Sequence, residues 1–151
     1  MNSYFTGRIK SFLILLLVIL LPVVSHAKQK SYTIEGVVTF PKMGKIYVYL
    51  VDEEVFKTPL TGIQTIAIEP NEKEMANKVV QFSFEGVQSG TYGIRCFQDT
   101  NGDGKLNKGV FGPSEPWGMS WKNEKPAKWP SFDGIAFDVN VDIKSLKIEL
   151  Q

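Results

Sequence analysis

The sequence predicts an all-β protein, a single antiparallel β-sandwich of about seven strands. Short runs rich in Val, Ile, Tyr and Phe recur along most of the chain, and several of them alternate apolar with polar residues. Turn residues, chiefly Gly, Pro, Asn and Asp, separate these runs, and no long helical period is present. Short strands at such regular intervals are typical of β-sandwiches.

Residues 1–27 are predicted to be a signal peptide rather than part of the fold. A positively charged start precedes an uncharged run at residues 12–24, and Ser25 and Ala27 are the small residues that a signal peptidase reads. This apolar run is shorter than the roughly 20 residues of a membrane span, although an uncleaved membrane anchor is the alternative. We expect cleavage after Ala27 and a periplasmic or secreted domain of residues 28–151, with no membrane association after cleavage.

The remaining composition excludes several kinds of function. Without the signal peptide the chain has 16 acidic and 15 basic residues, and this near neutrality predicts no nucleic-acid partner. The only histidine, His26, leaves with the signal peptide, so no Ser-His-Asp or Cys-His pair can form. The only cysteine, Cys96, lies in an alternating run and is predicted to be inert packing. No nucleophile motif is present, and we predict that the protein is not an enzyme.

Seven strands are predicted in order along the chain. The second of them, residues 45–51, is apolar on both faces, so it should be central in its sheet or covered by a loop. The charged residues 70–78 between the third and fourth strands should form either one helical turn or a polar loop. The predicted strands are residues 31–40, 45–51, 64–69, 79–87, 90–99, 135–141 and 145–150.

A long interval at residues 100–134 separates the fifth and sixth strands. It shows little strand pattern but contains three Trp and four Pro. Long connections in compact domains are usually functional or disordered, and this one is too apolar for a solvated tail. We expect an ordered loop folded against one end of the sandwich.

Three blocks in this part of the chain resemble a known family. GTYGIRCFQDTNGDGKLNKG (residues 90–109), GPSEPWGMS (residues 112–120) and WPSFDGIAFDV (residues 129–139) are similar to the central blocks of the bacterial secreted domain-of-unknown-function family 2141. The resemblance covers residues 32–150. It implies a prealbumin-like (transthyretin-like) β-sandwich outside the cytoplasm and no established activity. One departure is Asn107, where the family has Asp, which removes a possible carboxylate from the loop.

The segment DTNGDGKLNKG has the spacing of the first half of a calcium loop. Oxygen-bearing side chains alternate, and a glycine follows at the sharp turn, as in loops that curl around Ca²⁺. The position of the closing glutamate holds Val110 instead, so Glu115 would have to fold back onto the loop. The alternative is a metal-free turn, because Asn, Asp and Gly tolerate positive φ. The candidate ligands of a weak Ca²⁺ site are Asp99, Asn101, Asp103, Lys105 through its carbonyl, Asn107 and Glu115.

Trp117, Trp121 and Trp129 form a candidate ligand surface in the same interval. Their rings could stack on a sugar or a peptide, or they could seal the loop onto the end of the sandwich. We expect Trp117 and Trp121 to be more exposed than strand residues such as Ile46 and Val48. The sequence therefore predicts a calcium-stabilised binding or interaction module with a protein or glycan partner. The alternatives are a metal-free structural or protein-interaction domain and a carbohydrate-binding module that uses the tryptophans.

Overall fold

The computed structural model describes residues 30–123 and 130–151. The predicted signal peptide and Trp129 lie outside these residues. The strands are β1 (Ser31–Thr39), β2 (Lys45–Val51), β3 (Gln64–Ile68), β4 (Val79–Gln88), β5 (Gly90–Asp99), β6 (Lys108–Gly109), β7 (Gly112–Pro113), β8 (Trp117–Met119), β9 (Phe137–Val139) and β10 (Ile143–Glu149). The helices are α1 (Glu53–Phe56) and α2 (Glu72–Asn77), and Phe132–Gly134 form a 3-10 turn. No helix within the described ranges has the length and apolar character that a membrane crossing requires.

Two main sheets form the molecule. Sheet A has the strand order β10-β1-β4, and sheet B has the order β3-β2-β5-β8. Strand β9 pairs with the beginning of β5, and β6 and β7 form a separate small hairpin. β1 and β10, the first and last strands of the described residues, therefore lie side by side in sheet A.

The predicted all-β sandwich is confirmed, and the seven predicted strands correspond to β1–β5, β9 and β10. The predicted count of seven is too low, because the described residues contain ten strands. Strands β6, β7 and β8 are only two or three residues long, too short to show an alternating pattern. The sandwich is also not purely antiparallel, since β10 pairs parallel with β1, from Gly36 opposite Leu146 to Thr39 opposite Glu149.

The central strands of sheet B, β2 and β5, are covered on both faces. Ile46, Val48 and Leu50 of β2 point into the main core between the two sheets. Tyr49 and Val51 belong to a second apolar cluster on the opposite face, which we call the outer face of sheet B. Strand β2 lies between β3 and β5, which confirms the prediction that this strand is central in its sheet.

The segment after β2 covers part of the outer face. It begins with α1, where the Asp52 carboxylate accepts a hydrogen bond from the Val55 N–H at 2.8 Å. Such a cap satisfies one of the donors that a helix start leaves free. The charged residues before β4 form α2 with a capping box between Asn71 and Glu74, so the helical alternative for this segment is confirmed.

Strand β8 joins the two sheets. Trp117 and the C-terminal Gln151 exchange two backbone hydrogen bonds, both at 3.2 Å. Gly118, the next residue, lies so close to β10 that a Cβ would be 2.3 Å from the Glu149 carbonyl oxygen. This contact fixes the edge of sheet B on which Trp117 and Met119 are placed.

Candidate functional site

The loop that follows β5 is organised by a buried carboxylate at its start. Asp99 is 3% exposed, and its Oδ1 accepts a hydrogen bond from the Gly102 N–H at 2.7 Å. Its Oδ2 accepts from the Gly104 N–H at 2.8 Å. Both glycines have positive φ, 80° and 73°, which a residue with a side chain rarely adopts. The Asp-x-x-Gly-x-Gly spacing therefore curls the backbone around one carboxylate.

A second buried carboxylate ties the two ends of this loop together. Glu115 is 5% exposed, and its Oε1 accepts from both the N–H (2.8 Å) and the hydroxyl (3.1 Å) of Thr100. Its Oε2 accepts from the Asn107 N–H at 3.0 Å. Glu115 thus folds back onto the loop, where it satisfies backbone donors. Hydrogen bonds to a charged acceptor are stronger than those between neutral groups.

The exposed part of the loop is held by a third acid. Asp103 Oδ1 accepts from the Lys105 N–H at 2.9 Å, and Oδ2 accepts from the side-chain amides of Asn107 (3.0 Å) and Asn101 (3.2 Å). The amide of Asn107, followed by the N–H of Lys105, lowers the pKa of the Asp103 carboxyl from its usual value. The Asn101 side-chain oxygen accepts in turn from the Asp103 N–H at 3.1 Å.

The six predicted calcium ligands therefore meet in one loop, and the side-chain oxygens of four of them accept hydrogen bonds from donors of that loop, namely Asp99, Asn101, Asp103 and Glu115. Within the described residues, no group of three or more His, Cys, Asp or Glu residues is placed so that it could hold a metal ion. The calcium site stays a prediction. The observed role of Asp99 and Glu115 is to fix the backbone between β5 and β8.

The fixed loop forms one wall of a pocket on the outer face of sheet B. The cavity has a volume of about 680 Å³. Its floor contains the rings of Phe97 and Tyr49, which stack with centroids 6.2 Å apart and planes inclined by 10°. Leu106 lies in the wall that the fixed loop provides, and Phe56 and Leu60 lie in the wall formed by the end of α1 and the segment after it.

Arg95 holds the second wall in place. Its side chain is on the outer face of sheet B, and its guanidinium donates hydrogen bonds to the carbonyl oxygens of Phe56 (3.3 Å), Thr58 (2.6 Å) and Thr61. The Arg95 Nε is buried and has no hydrogen-bond partner among the described residues. Burial lowers the pKa of Arg95 from its usual value, and the nearby Tyr49 opposes this shift. One buried cation thus pins the whole turn that follows α1.

The predicted tryptophan surface is only partly assembled in the described residues. Trp117 lines the pocket and is half-buried, and Trp121 packs edge-on against it with ring centroids 5.8 Å apart. Ile46 and Val48 are fully buried, so the expectation that the two tryptophans are more exposed is confirmed. Trp117 combines both sequence interpretations, since it packs against the second apolar cluster and borders an open cavity.

The sequence did not identify the floor and the cationic anchor of this pocket. Tyr49 and Phe97 read as ordinary strand residues, Met119 read as an apolar residue of the long loop, and Arg95 read as a polar position of an alternating run. One signal was present, namely that residues 45–51 are apolar on both faces and therefore need a covering layer on each. Which segments provide that cover depends on contacts between parts of the chain that are far apart in sequence.

The fold and this pocket define a β-sandwich protein with an aromatic cavity on the outer face of one sheet. The chain belongs to the family described as "Uncharacterized protein conserved in bacteria (DUF2141)", whose model matches residues 33–147. This match confirms the family suggested by the three sequence blocks. No match is found among the curated proteins or among the solved structures, and the prealbumin-like relationship stays a prediction.

Proposed function

We propose that this protein is an exported binding module that holds a small ligand with an apolar body in the pocket of sheet B. The observation that carries the proposal is the cavity of about 680 Å³ over the stacked rings of Phe97 and Tyr49. Small-molecule sites in proteins have volumes of roughly 300–1,000 Å³ and predominantly apolar linings. The floor belongs to paired strands, and buried charged groups pin both walls, which favours a preformed site.

The lining of the pocket supports binding rather than catalysis. Among the described residues, those around the cavity include no Asp, Glu, His or Ser, and its ionisable groups are Tyr49, Cys96, Arg95 and three lysines. Cys96 borders the cavity, but it is 4% exposed and burial raises the pKa of its thiol. A neutral, buried thiol is a poor nucleophile. A glycan stacked on Trp117 is the competing occupant.

A neutral dye tests the proposed binding role directly. N-phenyl-1-naphthylamine fluoresces when it leaves water for an apolar site, and we expect saturable binding of one dye per protein. Leu106→Trp should weaken this binding by about tenfold or more, because the larger indole occupies part of the cavity. Val141→Trp is the matched control, since Val141 is 62% exposed and lies away from the pocket.

Two outcomes would contradict the proposed binding role. If the dye binds Leu106→Trp as tightly as the unmodified protein, the pocket is not its site. If the dye does not bind, but a neutral oligosaccharide does and Trp117→Ala abolishes its binding, the protein is a carbohydrate-binding module. All proteins should be expressed from the full chain, so that any processing by the host occurs normally.

We also propose that Ca²⁺ adds to the stability of the loop between β5 and β8. The supporting observation is that the backbone curls around Asp99, whose carboxylate accepts hydrogen bonds from the N–H groups three and five residues later in the chain. Asn101 and Asp103 accept in the same way from the N–H two residues on. This curl brings oxygen-bearing side chains at alternate positions into one turn. The absence of a closing glutamate at Val110 favours the weak class of site, with Kd on the order of 10⁻⁴–10⁻³ M.

Thermal unfolding tests the calcium proposal. At ten times Kd, a ligand of the native state adds about 1.4 kcal/mol, which raises Tm by a few degrees for a domain of this size. We expect this shift with about 5 mM Ca²⁺ and a much smaller one with Mg²⁺, which loses its water reluctantly. Asp103→Ala should abolish the shift, and its Tm in EDTA should fall by no more than a few degrees, because this side chain is exposed. A Tm that Ca²⁺ leaves unchanged would make the loop a metal-free turn.

A further inference from the structure

We propose that the ligand of the sheet B pocket is an organic anion, a molecule with one acidic group on an apolar body. This inference rests on the binding role proposed above and adds the chemical class of the ligand. It follows from the charges that surround the cavity. Four cationic residues line it, namely Lys57, Arg95, Lys105 and Lys108, and no acidic residue of the described chain does so.

Arg95 is the buried member of this set. The residue is 8% exposed, and it donates its hydrogen bonds to neutral carbonyl groups at the end of α1 and in the turn that follows. No carboxylate of the described residues forms an ion pair with it, and its Nε has no hydrogen-bond partner there. A buried cation without a counterion is costly, and an anion bound nearby would reduce this cost. The pocket therefore has a standing positive charge that its own residues do not neutralise.

The three lysines that line the pocket differ in whether their charges are paired with carboxylates. Lys57 is paired with Glu54 at 3.0 Å and with Glu53 at 3.7 Å, so its charge is largely compensated. Lys105 and Lys108 are in no ion pair within the described residues. Leu106 lies between them in the sequence, in the wall of the pocket that Glu115 holds in place. Two cations and an apolar side chain therefore line the same wall.

These positions match the two halves of an amphiphile. An alkyl or aromatic body would cover Phe97, Leu106 and Trp117, which supply apolar contact area. A carboxylate, sulfonate or phosphate group would then lie near Lys105 and Lys108, where charge-assisted hydrogen bonds are available. Fatty acids and aromatic acids share this chemistry, and the ligands of the test separate them.

Two dyes that differ in one charged group test the inference. 1-Anilino-8-naphthalenesulfonate has the ring system of N-phenyl-1-naphthylamine plus a sulfonate, and we expect the protein to bind it about tenfold more tightly. The double variant Lys105→Gln/Lys108→Gln should lose about tenfold in affinity for the sulfonate dye and less than about twofold for the neutral dye. Added salt should weaken the binding of the sulfonate dye but not that of the neutral dye, because salt screens exposed charges.

The control variant is Lys144→Gln/Lys147→Gln. It makes the same change in net charge on β10, whose lysines do not line this pocket, and it should leave both affinities unchanged. Displacement of the neutral dye by dodecanoate, but not by dodecanol, would extend the preference to fatty acids. Displacement by 1-naphthoate alone would restrict it to aromatic acids.

Failure of this inference differs from failure of the binding role. If the neutral dye binds and Leu106→Trp blocks it, but both dyes bind equally and the lysine substitutions change neither, the pocket binds apolar molecules without preference for an anion. If the control double variant lowers the affinity for the sulfonate dye as much as the pocket variant does, the preference for the sulfonate dye comes from general surface charge. If Leu106→Trp blocks neither dye, both the inference and the binding role are wrong.

Discussion

Glu115→Ala is expected to lower the free energy of unfolding by about 3 kcal/mol. The substitution removes the acceptor of three hydrogen bonds and leaves the N–H groups of Thr100 and Asn107 without their partner. An unsatisfied donor in a partly buried site costs about 1–3 kcal/mol, and losses in this range are typical of broken buried networks. The measurement is urea denaturation in the presence of EDTA, so that any bound metal does not contribute.

Asp103→Ala is the matched control for this prediction. Asp103 also accepts three hydrogen bonds in the same loop, but it is exposed. Exposed substitutions of this kind change stability by about 1 kcal/mol or less, because water replaces the lost partner. Equal losses for the two variants would show that the burial of Glu115 does not matter, and the account of the loop would be wrong.

Gly44→Ala is expected to have an effect of similar size, about 3 kcal/mol or more, for a different reason. Gly44 has φ +136°, and a Cβ there would be 2.1 Å from the carbonyl oxygen of Asp99 and 3.1 Å from the Cα of Thr100. Both contacts are with backbone at the point where β5 ends and the loop begins. The substitution therefore combines backbone strain with a displacement of the residues that start the loop.

Gly86→Ala separates these two contributions. Gly86 also has a positive φ, 69°, but a Cβ there would meet nothing within 4 Å. This variant should lower the free energy of unfolding by only about 1–2 kcal/mol, which is the cost of placing a residue with a side chain at positive φ. If Gly44→Ala is no more destabilising than Gly86→Ala in the same denaturation experiment, the close approach between the β1–β2 turn and Asp99 is not a constraint on the fold.

Much of the fold could be predicted from the sequence because its strands are long enough to show their pattern. The apolar residues on both faces of residues 45–51 predicted a strand that is central or covered by a loop, and β2 is central in sheet B. Strand β8 could not be predicted, because its three residues, Trp117–Met119, include a glycine and show no alternation. Its place in sheet B depends on β5 and on the C-terminal residue instead.

The candidate site was predictable in its parts but not in its assembly. The spacing around Asp99 predicted a sharply curled loop, and Glu115 does fold back onto it. The pocket itself depends on Arg95, whose acceptors at the end of α1 and in the turn after it are 34 to 39 residues earlier in the chain. Nothing in the local pattern of β5 specifies carbonyl partners at that distance. Contacts of this kind follow from packing of the whole chain.

Nuclear Overhauser effects from bound N-phenyl-1-naphthylamine to methyl groups locate the dye on the protein. A ligand in the sheet B pocket should show contacts with the methyl groups of Met119 and Leu106, which line it. It should show none with Ile63 and Val110, which are exposed outside the pocket. Contacts confined to Val110 at the exposed tip between β6 and β7, with none to Met119, would contradict a ligand pocket on the outer face of sheet B.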